Sequence, residues 1–127
     1  MSYIARTSYR CLCEWVPSSG GNIPYNAVAG GEDSGENIFI GRAEHENIFI
    51  GRAEHNGDVI PGKIVPSHNV CYVSYAGREH SHHSYQVLVS LDESQFDWVP
   101  QSGGDLPSGA VQGGKTADGE PLYIGRT

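Results

Sequence analysis

WVPSSGGNIPYNAVAGG, residues 15–31, returns as WVPQSGGDLPSGAVQGG at residues 98–114. Trp, Val, Pro, Ser, Gly-Gly, Pro, Ala-Val and Gly-Gly keep the same offsets in both copies. A repeat of this kind is one supersecondary unit written twice, so it decides the fold before any single residue does. Each copy runs on into an apolar stretch that closes on Gly-Arg, IFIGR in the first and LYIGR in the second.

Working outward, the first unit continues through GDVIPGKIVPSH, NVCYVSYAGREH and SYQVLVSLD. The alternation in CYVSY and YQVLV is that of half-buried strands, and Ala76-Gly77 with the Gly and Pro clusters supplies turns. The 17 glycines and 7 prolines among 127 residues agree with a turn-rich, all-β chain. That length allows one domain, residues 1–127. The expected architecture is a pseudo-symmetric module of two tandem repeats with short antiparallel strands, repeat one over residues 15–91 and an incomplete repeat two over 96–127. Thr127 comes before any counterpart of the Tyr-rich strands, and a half-unit leaves unpaired edges and a bare apolar face. The N-terminal YIART, a duplicated decapeptide or a second copy of the chain is expected to cover it. YIARTSY at residues 3–9 also echoes the closing YIGRT.

The decapeptide is ENIFIGRAEH, written at 36–45 and again, unchanged, at 46–55. Its identity contrasts with the drift of the larger units and marks a separate, later event. Ten is an even number, so either copy presents the same side chains to the same face of a sheet. A single strand through both copies would span roughly 65 Å, well past ordinary strand lengths, so one copy has to fold back or pair elsewhere. The second copy, nearer the following strands, is expected to keep its place in the sheet.

Charge and cysteine content narrow the partners. A formal net charge of -7 repels nucleic acid and acidic lipid. No stretch is apolar enough to span a bilayer, and MSYIARTSYR has no signal-peptide core, so a cytoplasmic location without membrane insertion is expected. Cys11, Cys13 and Cys71 are an odd set, and two cysteines one residue apart on a strand point to opposite faces, so reduced thiols are expected.

The linked motifs W-V-P-x-S-G-G-x-x-P-x-x-A-V-x-G-G, H-x-G-x-x-x-P-G-K (His55–Lys63), G-x-E-H (Gly77–His80) and Y-x-V-L (Tyr85–Leu88), with the Gly-Arg strand between, resemble the DM-nine repeat family. Within it the chain is similar to the oyster and other bivalve mannose-binding lectins built from two such repeats. The resemblance implies a calcium-independent sugar site, dimerisation and innate immune recognition of microbial surface glycans, met outside the cell; the incomplete second unit points in turn to a homodimer or larger assembly finished by strand exchange. By position it places the sugar-binding acid on Asp33 and the base on Lys63. The second unit departs from that pattern, with Lys115-Thr116 in place of Glu32-Asp33, and there Asp118, one residue before Gly119, is the substitute acid the residues offer. A carboxylate accepts hydrogen bonds from adjacent sugar hydroxyls and an ammonium donates to them, without a metal or other cofactor. Read without the resemblance, Asp33 is a turn acid before Gly35 and Lys63 a solvated strand lysine.

Other chemistries fit less well. His80, His82 and His83, with His45, His55 and His68, invite a zinc reading, but a structural site wants four ligands at set spacing and no C-x-x-C pair is present, so these read as solvated loop histidines near a strand end and no metal is expected. Glu79-His80 reads as holding a turn. There is no G-x-S-x-G elbow, no selected carboxylate pair and no phosphate loop, so an enzyme is not expected. Trp15 and Trp98 head their units at the same offset and read as core residues before sugar platforms. Two functions follow: a carbohydrate-binding lectin for mannose or mannose-terminated glycans, or a structural and interaction module whose sugar site has decayed.

Overall fold

The computed structural model describes residues 2–7, 13–33, 38–39, 42–43, 46–90, 96–101 and 106–126, with the backbone alone at 2, 31–33, 38–39, 42–43, 46 and 126. Fourteen strands follow one another: β1 Ser2–Thr7, β2 Cys13–Ser19, β3 Ala29–Asp33, β4 Ile38–Phe39, β5 Arg42–Ala43, β6 Glu46–His55, β7 Asp58–Val65, β8 Val70–Tyr75, β9 Arg78–His82, β10 Ser84–Ser90, β11 Phe96–Gln101, β12 Gln112–Lys115, β13 Pro121–Tyr123 and β14 Gly125–Arg126. One short 3-10 turn, Pro66–His68, follows β7, and the described residues hold no α-helix. The chain is therefore all-β, as its alternation indicates.

The second decapeptide copy is the axis of the main sheet. It forms β6, which pairs with β7 along one edge from Phe49 to His55 and shares the other between β3 and β10. The first copy pairs with itself instead, Ile38 against Ala43 and Phe39 against Arg42, in a separate two-stranded piece. Its remaining residues, His45 among them, lie outside the described part of the chain. The fold-back that strand length demands is thus taken by the first copy.

Tight hairpins set the rest of the sheet. Asn56 and Gly57 have φ of 52° and 86°, and Ala76 and Gly77 have 53° and 76°. Two-residue turns with φ positive at both positions match the twist of the strands they join. These turns link β6 to β7 and β8 to β9.

Successive residues of β10 face opposite sides, and each side has its own core. Val87 joins Ala53, Ile60, Ile64, Cys71, Val73 and Tyr85 in one cluster, while Leu88 joins Ala5, Val28, Ile50 and Ile124 in the other. Trp15 and Trp98 both pack against the second cluster, which bears out their reading as core residues.

That second core is where the two units meet, and it shows what covers the incomplete one. β1 lies between β11 and β14 in a three-stranded sheet. Ala5 stands opposite Trp98 as Leu88 stands opposite Trp15. Val111 donates its N–H to Ala5 at 3.0 Å, as Val28 does to Leu88 at 2.9 Å. Ile124 then bonds to Val111 as Ile50 bonds to Val28, at 3.1 and 3.0 Å. The N-terminal strand therefore takes in the second unit the place that β10 takes in the first. Its likeness to YIGRT is not one of position: Tyr3 and Ile4 pair with Arg126 and Gly125.

Cys13 is disulfide-bonded, while Cys71 is a buried free thiol. This corrects the expectation of three reduced cysteines as far as Cys13 is concerned; Cys11 lies outside the described residues. No helix among the described residues is long and apolar enough to cross a membrane.

Candidate functional site

Lys63 owes its position to the P-G-K sequence in the middle of β7. A side chain at Gly62 would fall inside the van der Waals shell of the Tyr72 carbonyl, so only glycine lets β7 and β8 close at this point. Lys63 then stands directly opposite Tyr72, and its ammonium lies 5.9 Å from the centre of that ring. It reaches on across β8 to Glu79 of β9, where the charged atoms are 4.0 Å apart with side chains 42% and 56% exposed. His68, on the 3-10 turn, fixes the tyrosine through a 2.8 Å contact between Nδ1 and the Tyr72 hydroxyl. Three adjacent strands thus present a cation, a carboxylate and an aromatic ring on one open face.

Asp33 ends β3 opposite Glu46, whereas Lys63 stands opposite Ile50. The two positions flank β6, and four residues along it plus two inter-strand spacings put their backbones on the order of 15 Å apart. They share a sheet without being neighbours, and the Asp33 side chain lies outside the described part. Asp118 sits on the exposed turn between β12 and β13, where Ala117 donates its N–H to Asp58 at 2.8 Å. That turn is at the Asp58 end of β7, about 16 Å of strand from Lys63.

Glu79 was read as part of a turn motif, but it lies in β9, just past the Ala76-Gly77 turn, and faces Lys63. The diagonal reach across β8 is invisible until the register of three strands is known. The histidines also need correction. His55 is the last residue of β6, and His80 and His82 belong to β9. They are half-buried strand residues rather than solvated loop residues, because the hairpin turns are only two residues long and the strands run up to them. The alternate spacing of His80 and His82 was the available signal.

On the face that carries the second core, Arg52 lies 4.3 Å over the Trp15 ring and donates to Gln86 at 2.7 Å and to the Gly113 carbonyl at 3.3 Å. Burial lowers the pKa of its guanidinium. Arg52 joins the two units, since Gly113 belongs to the second, and its cover of Trp15 occupies a ring face that a sugar would otherwise use. Cys71 offers no nucleophile: burial pushes its thiol up to about 12, so it stays protonated.

The DM9 repeat family model matches residues 2–47 and 43–127, two segments that overlap inside the duplicated decapeptide and together run the length of the chain. No curated protein matches the chain.

Proposed function

The chain belongs to the DM9 repeat family, and from that premise we propose that it is a non-catalytic, calcium-independent lectin for mannose or mannose-terminated glycans. The observation that supports this most is the open group of Lys63, Glu79 and Tyr72 on β7, β8 and β9. An ammonium and a carboxylate 4.0 Å apart can bond two neighbouring hydroxyls of a neutral sugar, and an adjacent ring offers a surface for its apolar face. Lys63 is the base in this reading. Asp33 ends β3 beyond β6, on the side away from Glu79, so Glu79 is the acid beside Lys63 in this reading and Asp33 is a separate acid whose part in binding Asp33→Ala tests. Asp118 is left as the acid of a weaker second-unit site.

One sugar held by a few polar groups binds weakly, so useful avidity needs several sites on one particle. A homodimer or larger assembly supplies them, in innate recognition of microbial surface glycans. Strand exchange is not needed to finish the second unit, because β1 does so within the chain. Calorimetric titration with mannose, galactose and glucose, with and without a calcium chelator, tests the proposal. Mannose-selective heat that chelation leaves unchanged is expected. Absence of heat with all three sugars and with a mannose-terminated oligosaccharide would favour the interaction module instead.

A further inference from the structure

Three imidazoles meet where the end of β6 comes against the β9 strand. His80 and His82 stand opposite Val73 and Cys71 on β8, and His55 reaches over to them from the end of β6. Nδ1 of His55 is 3.1 Å from Nε2 of His82. The His55 ring centre lies 4.2 Å from that of His80, 5.2 Å from that of His82 and 4.9 Å from that of Tyr75. Among the described residues no three His, Cys, Asp or Glu side chains are arranged to hold a metal ion.

We propose that His55, His80 and His82 form an acid-operated latch, which holds the edge strand β9 on the tip of the β6–β7 hairpin while neutral and releases it when two of the rings are charged. The 3.1 Å contact needs one N–H and one lone pair. A first proton leaves a donor and an acceptor in place. A second removes the acceptor and sets two cations in contact, with the third imidazole beside them. Among the described residues β9 pairs only with β8, so no strand on its far side resists the separation.

The surrounding groups do little to offset this repulsion. Asp58, opposite His55 on β7, turns one carboxylate oxygen to the Ala117 N–H at 2.8 Å and is, among the described residues, the one acid across from the cluster, offsetting part of the charge on His55 and none of the contact between His55 and His82, and Asp118 on that same turn is exposed. Arg78, opposite Tyr75, adds positive charge to β9. From β8 come the Tyr75 phenol and the Cys71 thiol. From β10 the Tyr85 hydroxyl is committed to Gly21 and Asn22 at 2.9 and 3.1 Å. Burial first, then the nearby His55 and His80, hold His82 below its ordinary value of 6.5. The folded state therefore takes up fewer protons than the unfolded chain in that window: the stability is intact above about 6.5 and is lost as pH falls towards the folded value.

Amide hydrogen exchange of the full chain at pH 7.5 and 5.0, read as protection factors, tests the latch whether or not Lys63 binds sugar. The β9 amides are expected to lose protection about tenfold or more at the lower pH, while β6 and β10 keep theirs. In His82→Gln the loss should shrink to less than about threefold, since a neutral amide replaces the titrating ring. His55→Phe, which keeps a ring without a charge, should do the same and carries the test if the first variant folds poorly. His83→Gln, outside the cluster, should behave as the wild type. Unchanged β9 protection in the wild type, an equal loss in both variants, or a loss spread over every strand at once would overturn the proposal.

Discussion

Lys63 on β7 points its ammonium across β8 at the carboxylate of Glu79 on β9, 4.0 Å away, with both side chains open to water. An exposed pair of this kind contributes about 0–1 kcal/mol to stability. A lysine held by glycine packing at Gly62, yet weakly used by the fold, is available to a ligand. Lys63→Ala is therefore expected to leave the melting temperature within about 4 °C of wild type, as a loss of under 1 kcal/mol implies for a chain of this size, while abolishing the heat of mannose binding. Differential scanning calorimetry beside the sugar titration checks both halves.

Ala5 is fully buried, with a relative exposure of 0%, between β11 and β14. Its place opposite Trp98 leaves no room or partner for a charge. Ala5→Asp should cost several kcal/mol by burying an uncompensated carboxylate, and should collapse the three-stranded sheet first. Leu88→Ala, at the matching place in the first unit, should cost about 2–5 kcal/mol. Chemical denaturation of both variants measures this, and an Ala5→Asp chain as stable as wild type would contradict the role given to β1.

The duplicated decapeptide gives an unusually clean deletion, because removing either copy yields the same polypeptide. Since β6 is built from one copy and the other pairs only with itself among the described residues, the shortened chain should keep its fold. Shortening a surface connection changes loop-closure entropy by only about 0.6 kcal/mol per halving of its length. Far-ultraviolet circular dichroism should be unchanged, with a midpoint equal to or slightly above wild type.

Ala76 is a non-glycine residue at φ 53° in the first central position of the β8–β9 turn, where Asn56 occupies the corresponding position of the β6–β7 turn. Alanine is strained in the left-handed region, whereas asparagine tolerates it. Ala76→Asn is expected to raise stability by about 0.5–1 kcal/mol, measurable in urea as a higher midpoint with an unchanged slope.

Much of the architecture could be read from residues that recur. The matched Trp15 and Trp98 segments, the alternation in CYVSY and YQVLV, and the even length of the decapeptide were enough to indicate an all-β pair of repeats and the strand that the second copy forms. What could not be read depends on pairing between distant residues. Nothing in YIART says that Ala5 must stand opposite Trp98, because that place is dictated by the shape of the second core. The contact between Lys63 and Glu79 needs the registers of β7, β8 and β9 together. His55 and His82 meet only through the way β9 comes over the end of β6, which no local pattern in either strand encodes.

The central claim concerns where a sugar would sit, and a two-dimensional amide spectrum of the labelled chain titrated with mannose examines it most directly. The account predicts that the amides of residues 62–64, 72 and 79 shift together and saturably, and that the shifts vanish in Lys63→Ala. Saturable shifts confined to Trp15 and Arg52, with residues 62–64, 72 and 79 unmoved, or shifts that persist undiminished in Lys63→Ala, would contradict it.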